Sequence, residues 1–307
     1  MRILCAWGRG DAEIVRAPLA AHLPSADVHV WPDAPAQADY AIVWRPAAEV
    51  FMRTHITRAV FNYGAGVDSL VDLPTLPAGV PVYRLEDAGM AAQMIDYVLA
   101  AVLRIARGFD VHAEHQENAR WQPAPMRARG DITIGILGMG VLGRAVADAL
   151  LAAGFRVSGY ARRPQTRAGM TIHADAGALP AFLAGTQVLV CFVPLTAATR
   201  DLVDARLLAQ LPRGAHLINV ARGEIVVDAD LIAALDAGHI ASATLDVFRE
   251  EPLPAAHPFW HHPKVTVTPH VSAVTLPEPS IAQIAERITR LERGIAVDGA
   301  IDRVRGY

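Results

Sequence analysis

The sequence predicts an α/β protein built on parallel sheets with helices on both faces, and three observations carry that prediction. Short apolar runs rich in β-branched residues alternate with helix-favouring segments along the chain. Several of these runs are apolar throughout, as strands covered on both faces are. In residues 131–153, DITIGILGMGVLGRAVADALLAA, one such run meets three glycines spaced G-x-G-x-x-G and passes at once into Ala- and Leu-rich helical sequence.

Taken in order, residues 2–5, 28–31, 40–44, 59–62 and 80–83 read as short strands, with helical or loop segments such as 11–22 and 47–53 between them. The stretch Tyr63 to Leu70, YGAGVDSL, follows a strand with two glycines and a helix-like start. Its backbone N–H groups suit a small anion such as a carboxylate, and an ordinary strand-to-helix turn is the alternative reading. Residues 87–107 form a long helix stopped by Gly108, and a polar, Pro-containing linker, 112–130, leads into the glycine-rich unit.

In that unit Gly138 allows the tight turn, Gly140 lets a pyrophosphate approach the backbone and Gly143 lets helix and strand pack closely. With Met139, Val141 and Leu142 between them, they predict a dinucleotide phosphate over a helix N-terminus. The next strand, 156–160, ends in Ala161, Arg162 and Arg163. A site for NAD carries a carboxylate there for the ribose hydroxyls, whereas a 2′-phosphate needs cations. The arginine pair predicts NADPH in preference to NADH, the alternative being two solvated loop residues. Further strands are predicted at 187–193, 215–220, 242–247 and 265–268, helices at 205–210 and 228–237, and an amphipathic helix at 279–294 that returns to the first domain.

The chain has 307 residues, 52% of them hydrophobic, enough for two domains with real cores. A net charge of −3 gives no broad footprint for nucleic acid or an anionic membrane, which leaves small-molecule chemistry. Lys264 is the lone lysine against 28 basic residues in all, and no mechanism follows from that bias. Cys5 and Cys191 lie in apolar runs and read as buried thiols of a reducing compartment. Arg9 and Asp11 interrupt the apolar start, so no signal peptide or membrane span is expected and the location is cytoplasmic.

Ionisable residues follow three of the later strands: Arg222 after INVA, Glu251 five positions beyond Asp246, and His270 after Thr-Pro. Doubly wound sheets gather ligands at such strand ends, although each residue taken alone is also an ordinary loop residue. His257, His261, His262 and His270 crowd together, but their spacing fits no zinc pattern and no cysteine is near, so no metal is expected.

Together the segments GMGVLG, VPLTAATRDLV, INVARGEIVV, LDVFREEPLP and TPHVSAVT, in this order, resemble the D-2-hydroxyacid dehydrogenase family over nearly the whole chain. YAIVWRPAAEV, YGAGVDSL, YRLEDAGM, RWQPAP and the closing DRVRGY narrow the resemblance to the branch that reduces short 2-keto acids with NADPH. It implies two Rossmann-like domains with an active-site cleft between them: a split, flavodoxin-like substrate domain of residues 1–99 and 275–307, and an inserted NAD(P)-binding domain of residues 100–274. By the same resemblance His270 would be the acid that protonates the carbonyl oxygen. Glu251 would hold that imidazole and favour its charged form, and Arg222 would bind the substrate carboxylate and polarise the carbonyl. Ala65 and Gly66 would grip the carboxylate through their amides, with Trp44 and Arg45 at the pocket's border. The position of Arg45 is not usually arginine in that branch, which allows a shifted substrate preference. Met94, Val220, Ala221 and Asp246 would lie near the nicotinamide, and Val193, Pro194, Leu195 and Thr199 would wall the adenine and ribose. Relatives are commonly homodimers. Two other readings stand beside this one: a reductase of larger acids such as phenylpyruvate or 2-ketoisocaproate, and a cofactor-sensing binding protein on the same scaffold.

Overall fold

Residues 1–8 and 10–307 are described by a computed structural model; Arg9 lies outside the described residues. The first half of the chain supplies β1 (Arg2–Trp7), β2 (Asp27–Val30), β3 (Gln37–Trp44), β4 (His55–Asn62) and β5 (Val82–Arg84). All pair in parallel, in the order β2-β1-β3-β4-β5. This is the flavodoxin-like order, whose ligand crevice lies outside the carboxyl ends of β1 and β3, where the strand order reverses. Leu4, Ile42 and Val60 on the three central strands are wholly buried.

The later part supplies β6 (Thr133–Leu137), β7 (Arg156–Ala161), β8 (Thr171–Ala174), β9 (Val188–Cys191), β10 (Ala215–Asn219), β11 (Ile240–Leu245) and β12 (Val265–Val267). Their order is β12-β11-β10-β9-β6-β7-β8, again all parallel, so the reversal falls between β6 and β9. Ile134 pairs with Val157 of β7 on one side and Val188 of β9 on the other. Ile134, Ile136, Val188, Val190 and Ile218 form one cluster with Val146, Ala147 and Leu150 of the helix Val141–Ala152, which follows the glycine turn.

By contacts the chain divides into one unit of Met1–Met90 with Thr275–Tyr307 and a second of Ala91–Val274. The first junction falls at the start of the helix Met90–Ala106, nine residues before the expected boundary at residue 99. The physical reason is packing: Met94, Val98, Val102 and Ala106 belong to the cluster around Ile134. The amphipathic helix Pro277–Glu292 is part of the first unit, burying Ile281, Ile284, Ala285 and Ile288. Among the described residues, no helix is long and apolar enough to cross a membrane.

Three elements depart from the expected pattern. The segment expected as a polar linker opens with a helix, Phe109–Glu117, that buries none of its residues. β8 and the short helix Leu179–Ala184 were not foreseen. β8 is an edge strand with no wholly buried position, so it lacks the apolar signature of its neighbours.

Candidate active site

In the second unit the glycines of the turn after β6 divide the work between packing and openness. A Cβ on Gly138, whose φ is +114°, would stand 2.7 Å from the backbone of Phe192 and Val193, just beyond β9. One on Gly143 would stand 2.1 Å from the carbonyl oxygen of Gly138. One on Gly140 would meet nothing within 4 Å, and no side chain caps the helix that Gly140 begins. The turn is thus closed on the protein side at Gly138 and Gly143 and open at Gly140, beside uncapped helical N–H groups. That is a cradle for a phosphate, and it fits a dinucleotide. Met139 is buried and packs beneath Gly159 of β7, where a Cβ would lie 2.7 Å from its Sδ; Val141 and Leu142 are half-buried.

Beyond β7, Ala161 is buried while Arg162 and Arg163 are exposed, with no carboxylate at the strand end itself. After β9, Val193 and Leu195 pack on the core, with Pro194 half-buried beside them. The Thr199 hydroxyl donates to the Pro194 carbonyl at 2.6 Å and accepts the Thr196 N–H at 2.8 Å, which shapes this wall. Met94 and Val220 are buried in the cluster around Ile134, and Ala221 is buried at the end of β10.

Arg222 follows in extended conformation, and its Nη1 donates to the Ala221 carbonyl at 2.7 Å. The turn that presents it is clamped by Asn219, an almost wholly buried amide. Asn219 Nδ2 donates to the Arg222 carbonyl at 2.9 Å, and its Oδ1 accepts the Ala221 N–H at 3.1 Å. Gly223 fits because the backbone of Phe248 and Arg249 passes against it, 1.9 Å from where a Cβ would be.

His270 and Glu251 meet: Nδ1 of the imidazole lies 2.8 Å from Oε2. Oε1 of the same carboxylate accepts the Phe248 N–H at 3.1 Å. An ionised carboxylate only accepts, so Nδ1 carries the proton of this bond and Nε2 is left for chemistry. His270 sits at φ +56°, a left-handed conformation costly for a non-glycine residue. Asp246 holds it there. Its Oδ1 takes the Thr268 hydroxyl at 2.6 Å and the Val271 N–H at 2.8 Å, its Oδ2 takes the Ser272 N–H at 2.8 Å, and its carbonyl takes the His270 N–H at 2.8 Å. Tyr97, its hydroxyl 2.6 Å from Thr268 Oγ1, braces the same loop, and burial pushes that phenol up to about 12. Asp246, expected beside the nicotinamide, is wholly buried with both oxygens occupied by donors of this loop. Asn219, Thr268 and Tyr97 were not singled out from sequence; a polar residue ending an apolar run is the one signal that Asn219 offered.

Two of the other histidines in that cluster, His257 and His262, turn to separate carboxylates. His257 Nε2 lies 3.4 Å from Asp228 and His262 Nε2 lies 3.3 Å from Asp236. Among the described residues no three metal-binding side chains converge.

In the first unit, the strand-order reversal carries aromatic rings. Trp7 ends β1 and Trp44 ends β3, and the Gly8 N–H donates to the Trp44 carbonyl at 2.9 Å. Arg45, at φ +46°, places its guanidinium 5.6 Å from the centre of the Trp44 ring. Trp7 and Tyr63 stand 5.0 Å apart, and Gly64 lies so close to the Trp44 ring that a Cβ would be 2.2 Å away. Ala65 and Gly66 follow, half-buried, and among the described residues no acceptor takes their N–H groups. Trp44, Arg45, Ala65 and Gly66 are therefore brought to one strand-end corner of this unit.

The profile of the family "D-isomer specific 2-hydroxyacid dehydrogenase, NAD binding domain" matches residues 99–272. Glyoxylate/hydroxypyruvate reductase A of Yersinia enterocolitica is 46% identical over 295 residues, 94% of each chain. The protein of that name from Serratia proteamaculans is 46% identical over 303 residues, 97% of each. Among solved structures, a D-isomer specific 2-hydroxyacid dehydrogenase from Xanthobacter autotrophicus, in complex with NADPH and MES, superposes with a TM-score of 0.95 at 42% identity. It covers 100% of this chain and 99% of its own. An NADPH-dependent glyoxylate/hydroxypyruvate reductase from Sinorhizobium meliloti, with NADP and sulfate, gives 0.93 at 34% identity over 100% of this chain and 99% of its own. With a glycine turn that fits a dinucleotide and relatives matched end to end, the chain belongs to the D-isomer specific 2-hydroxyacid dehydrogenase family and is an NAD(P)-dependent oxidoreductase.

Proposed function

We propose that the protein reduces short 2-keto acids, glyoxylate to glycolate and hydroxypyruvate to D-glycerate, with NADPH preferred over NADH. The observation that carries the reading is the pair His270 and Glu251, joined at 2.8 Å. It leaves Nε2 as a proton donor at a strand end of the dinucleotide-binding sheet. NADPH, when bound, supplies the hydride. Arg222 binds the substrate carboxylate with its planar fork and draws charge from the carbonyl, and Nε2 of His270 delivers the proton to the carbonyl oxygen. Glu251 fixes the ring's orientation and its tautomer. Ala65 and Gly66 hold the carboxylate through their amides, beside Trp44 and Arg45, where a bulky indole leaves room for two- and three-carbon acids.

Gly138 to Gly143 would hold the pyrophosphate, and Arg162 and Arg163 the 2′-phosphate. Val193, Pro194, Leu195 and Thr199 would wall the adenosine, and Met94, Val220 and Ala221 would back the nicotinamide; Asp246 keeps the His270 loop in place behind it. Relatives solved with NADPH or NADP support the cofactor preference. Exposed Phe109, Val111, Trp121 and Met126, all within one stretch of the second unit, support a homodimer. The buried free thiols of Cys5 and Cys191 suit the cytoplasm.

The testing experiment follows the near-ultraviolet absorbance of reduced nicotinamide while NADPH or NADH is paired in turn with glyoxylate, hydroxypyruvate, pyruvate and phenylpyruvate. Rapid NADPH oxidation with the first two is expected. Faster turnover of phenylpyruvate would point to larger acids. NADPH binding without turnover of any acid would point to a sensor.

A further inference from the structure

We infer that Asn62 is a positioning residue that aims the amides of the Gly64 to Val67 loop at the substrate carboxylate. The inference rests on the reading of Ala65 and Gly66 as the carboxylate-holding residues.

Asn62 is the last residue of β4 and is wholly buried. Its Nδ2 donates to the Gly64 carbonyl at 2.9 Å and to the Gly66 carbonyl at 2.8 Å. Two acceptors on one atom settle the orientation of the amide, because the flipped group would set its oxygen against both carbonyls. In a trans peptide the C=O and the following N–H point in opposite directions. Drawing the Gly64 carbonyl towards Asn62 therefore turns the Ala65 N–H away from it, and drawing in the Gly66 carbonyl does the same for Val67. The N–H groups of Ala65 and Val67, on either side of Gly66, are thereby turned away from Asn62, and backbone N–H groups presented together make a concavity for an anion.

A purely structural role explains this arrangement poorly. The Gly64 carbonyl already accepts the Leu85 N–H at 3.1 Å, and the strand closes without the side chain because the Tyr63 N–H donates to Val43 at 2.8 Å. Meanwhile Asn62 Oδ1 is buried with no partner among the described residues. Keeping an amide with an unsatisfied oxygen is unfavourable for folding unless its donors serve another purpose.

The test compares the full-length protein with Asn62→Leu, which keeps the volume and has no donor, and Asn62→Ser, which keeps one. Turnover is measured with glyoxylate and with its uncharged methyl ester, and NADPH affinity by quenching of protein fluorescence. Asn62→Leu is expected to raise KM for glyoxylate about tenfold or more, as loss of hydrogen bonding to a charged group does. The ester kinetics and NADPH affinity should stay near wild type, with Asn62→Ser in between. Equal losses on acid and ester, a parallel loss of NADPH affinity, or no loss at all would overturn the role of Asn62. If instead the wild type does not distinguish acid from ester, the reading of the loop as the carboxylate holder fails, and the inference with it.

Discussion

Nδ1 of His270 lies 2.8 Å from Oε2 of Glu251, and the other oxygen of that carboxylate is held by the Phe248 N–H. The carboxylate is thereby fixed at both ends, and so is the plane of the imidazole. His270→Ala removes the proposed proton donor and is expected to lower kcat about 10²- to 10⁴-fold, the range of general acid catalysis. NADPH affinity should hardly change. Glu251→Gln keeps a hydrogen-bonding group but not the charge, so it should lower kcat less than His270→Ala. Steady-state kinetics with glyoxylate decides both; a His270→Ala protein with most of its turnover would sink the mechanism.

The glycine turn makes a prediction in which two similar substitutions part company. Gly143→Ala pushes a methyl into the Gly138 carbonyl, 2.1 Å away, and should lower the melting temperature by several degrees at least. Gly140→Ala meets nothing within 4 Å and should melt like the wild type. Its methyl would stand in the open space that the phosphate cradle needs, so NADPH affinity should fall about tenfold or more. Melting curves and fluorescence titrations separate the two outcomes, and equal NADPH affinity in Gly140→Ala would remove the phosphate from this turn.

Much of this site was legible because the physics behind it is local. Gly138, Gly140 and Gly143 obey a spacing, and a wholly apolar run such as Val188–Cys191 declares a covered strand. The clamps were not legible. Asn62, Asn219 and Asp246 act by reaching main-chain groups two to twenty-six positions away, and which group they reach depends on the path of a loop. Nothing in the letters NVARG says that Asn219 folds the turn presenting Arg222. The helix Phe109–Glu117 escaped for the opposite reason: it buries none of its residues, so no apolar stripe marks it.

Arg162 and Arg163 stand exposed at the end of β7, and the strand itself ends in Ala161 rather than in an acidic residue. Replacing both by Ala should raise KM for NADPH at least about tenfold, since charge-assisted contacts to phosphate are lost, and leave KM for NADH nearly unchanged. A parallel rise for the two cofactors would show that the pair does not read the 2′-phosphate.

Trp121 is fully exposed and lies in the same stretch as Phe109, Val111 and Met126. Light scattering on the purified protein should give the mass of a dimer, and Trp121→Asp should shift the equilibrium towards monomer. A monomeric wild type at micromolar concentration would dismiss the homodimer.

His216, on β10, titrates against folding rather than catalysis. Its ring is largely buried and bonded to Ser242, Nδ1 lying 2.9 Å from the hydroxyl, and loss of hydration lowers its pKa from 6.5 to about 4. Asp110 pulls in the other direction and Arg127 adds to the depression, both by weaker long-range attraction or repulsion. Between pH 6.5 and about 4 the unfolded chain binds this proton and the folded chain does not. Stability therefore falls as pH falls through that window, with a slope of at most about 1.4 kcal/mol per pH unit and a total of about 3 kcal/mol. Above pH 6.5 the ring is neutral in both states and contributes no slope. Urea denaturation at pH 7 and pH 5 should show the loss in the wild type and a smaller one in His216→Gln, which keeps a hydrogen-bonding group but cannot be protonated in this range. Equal losses in the two proteins would mean that other groups, not His216, set the acid sensitivity.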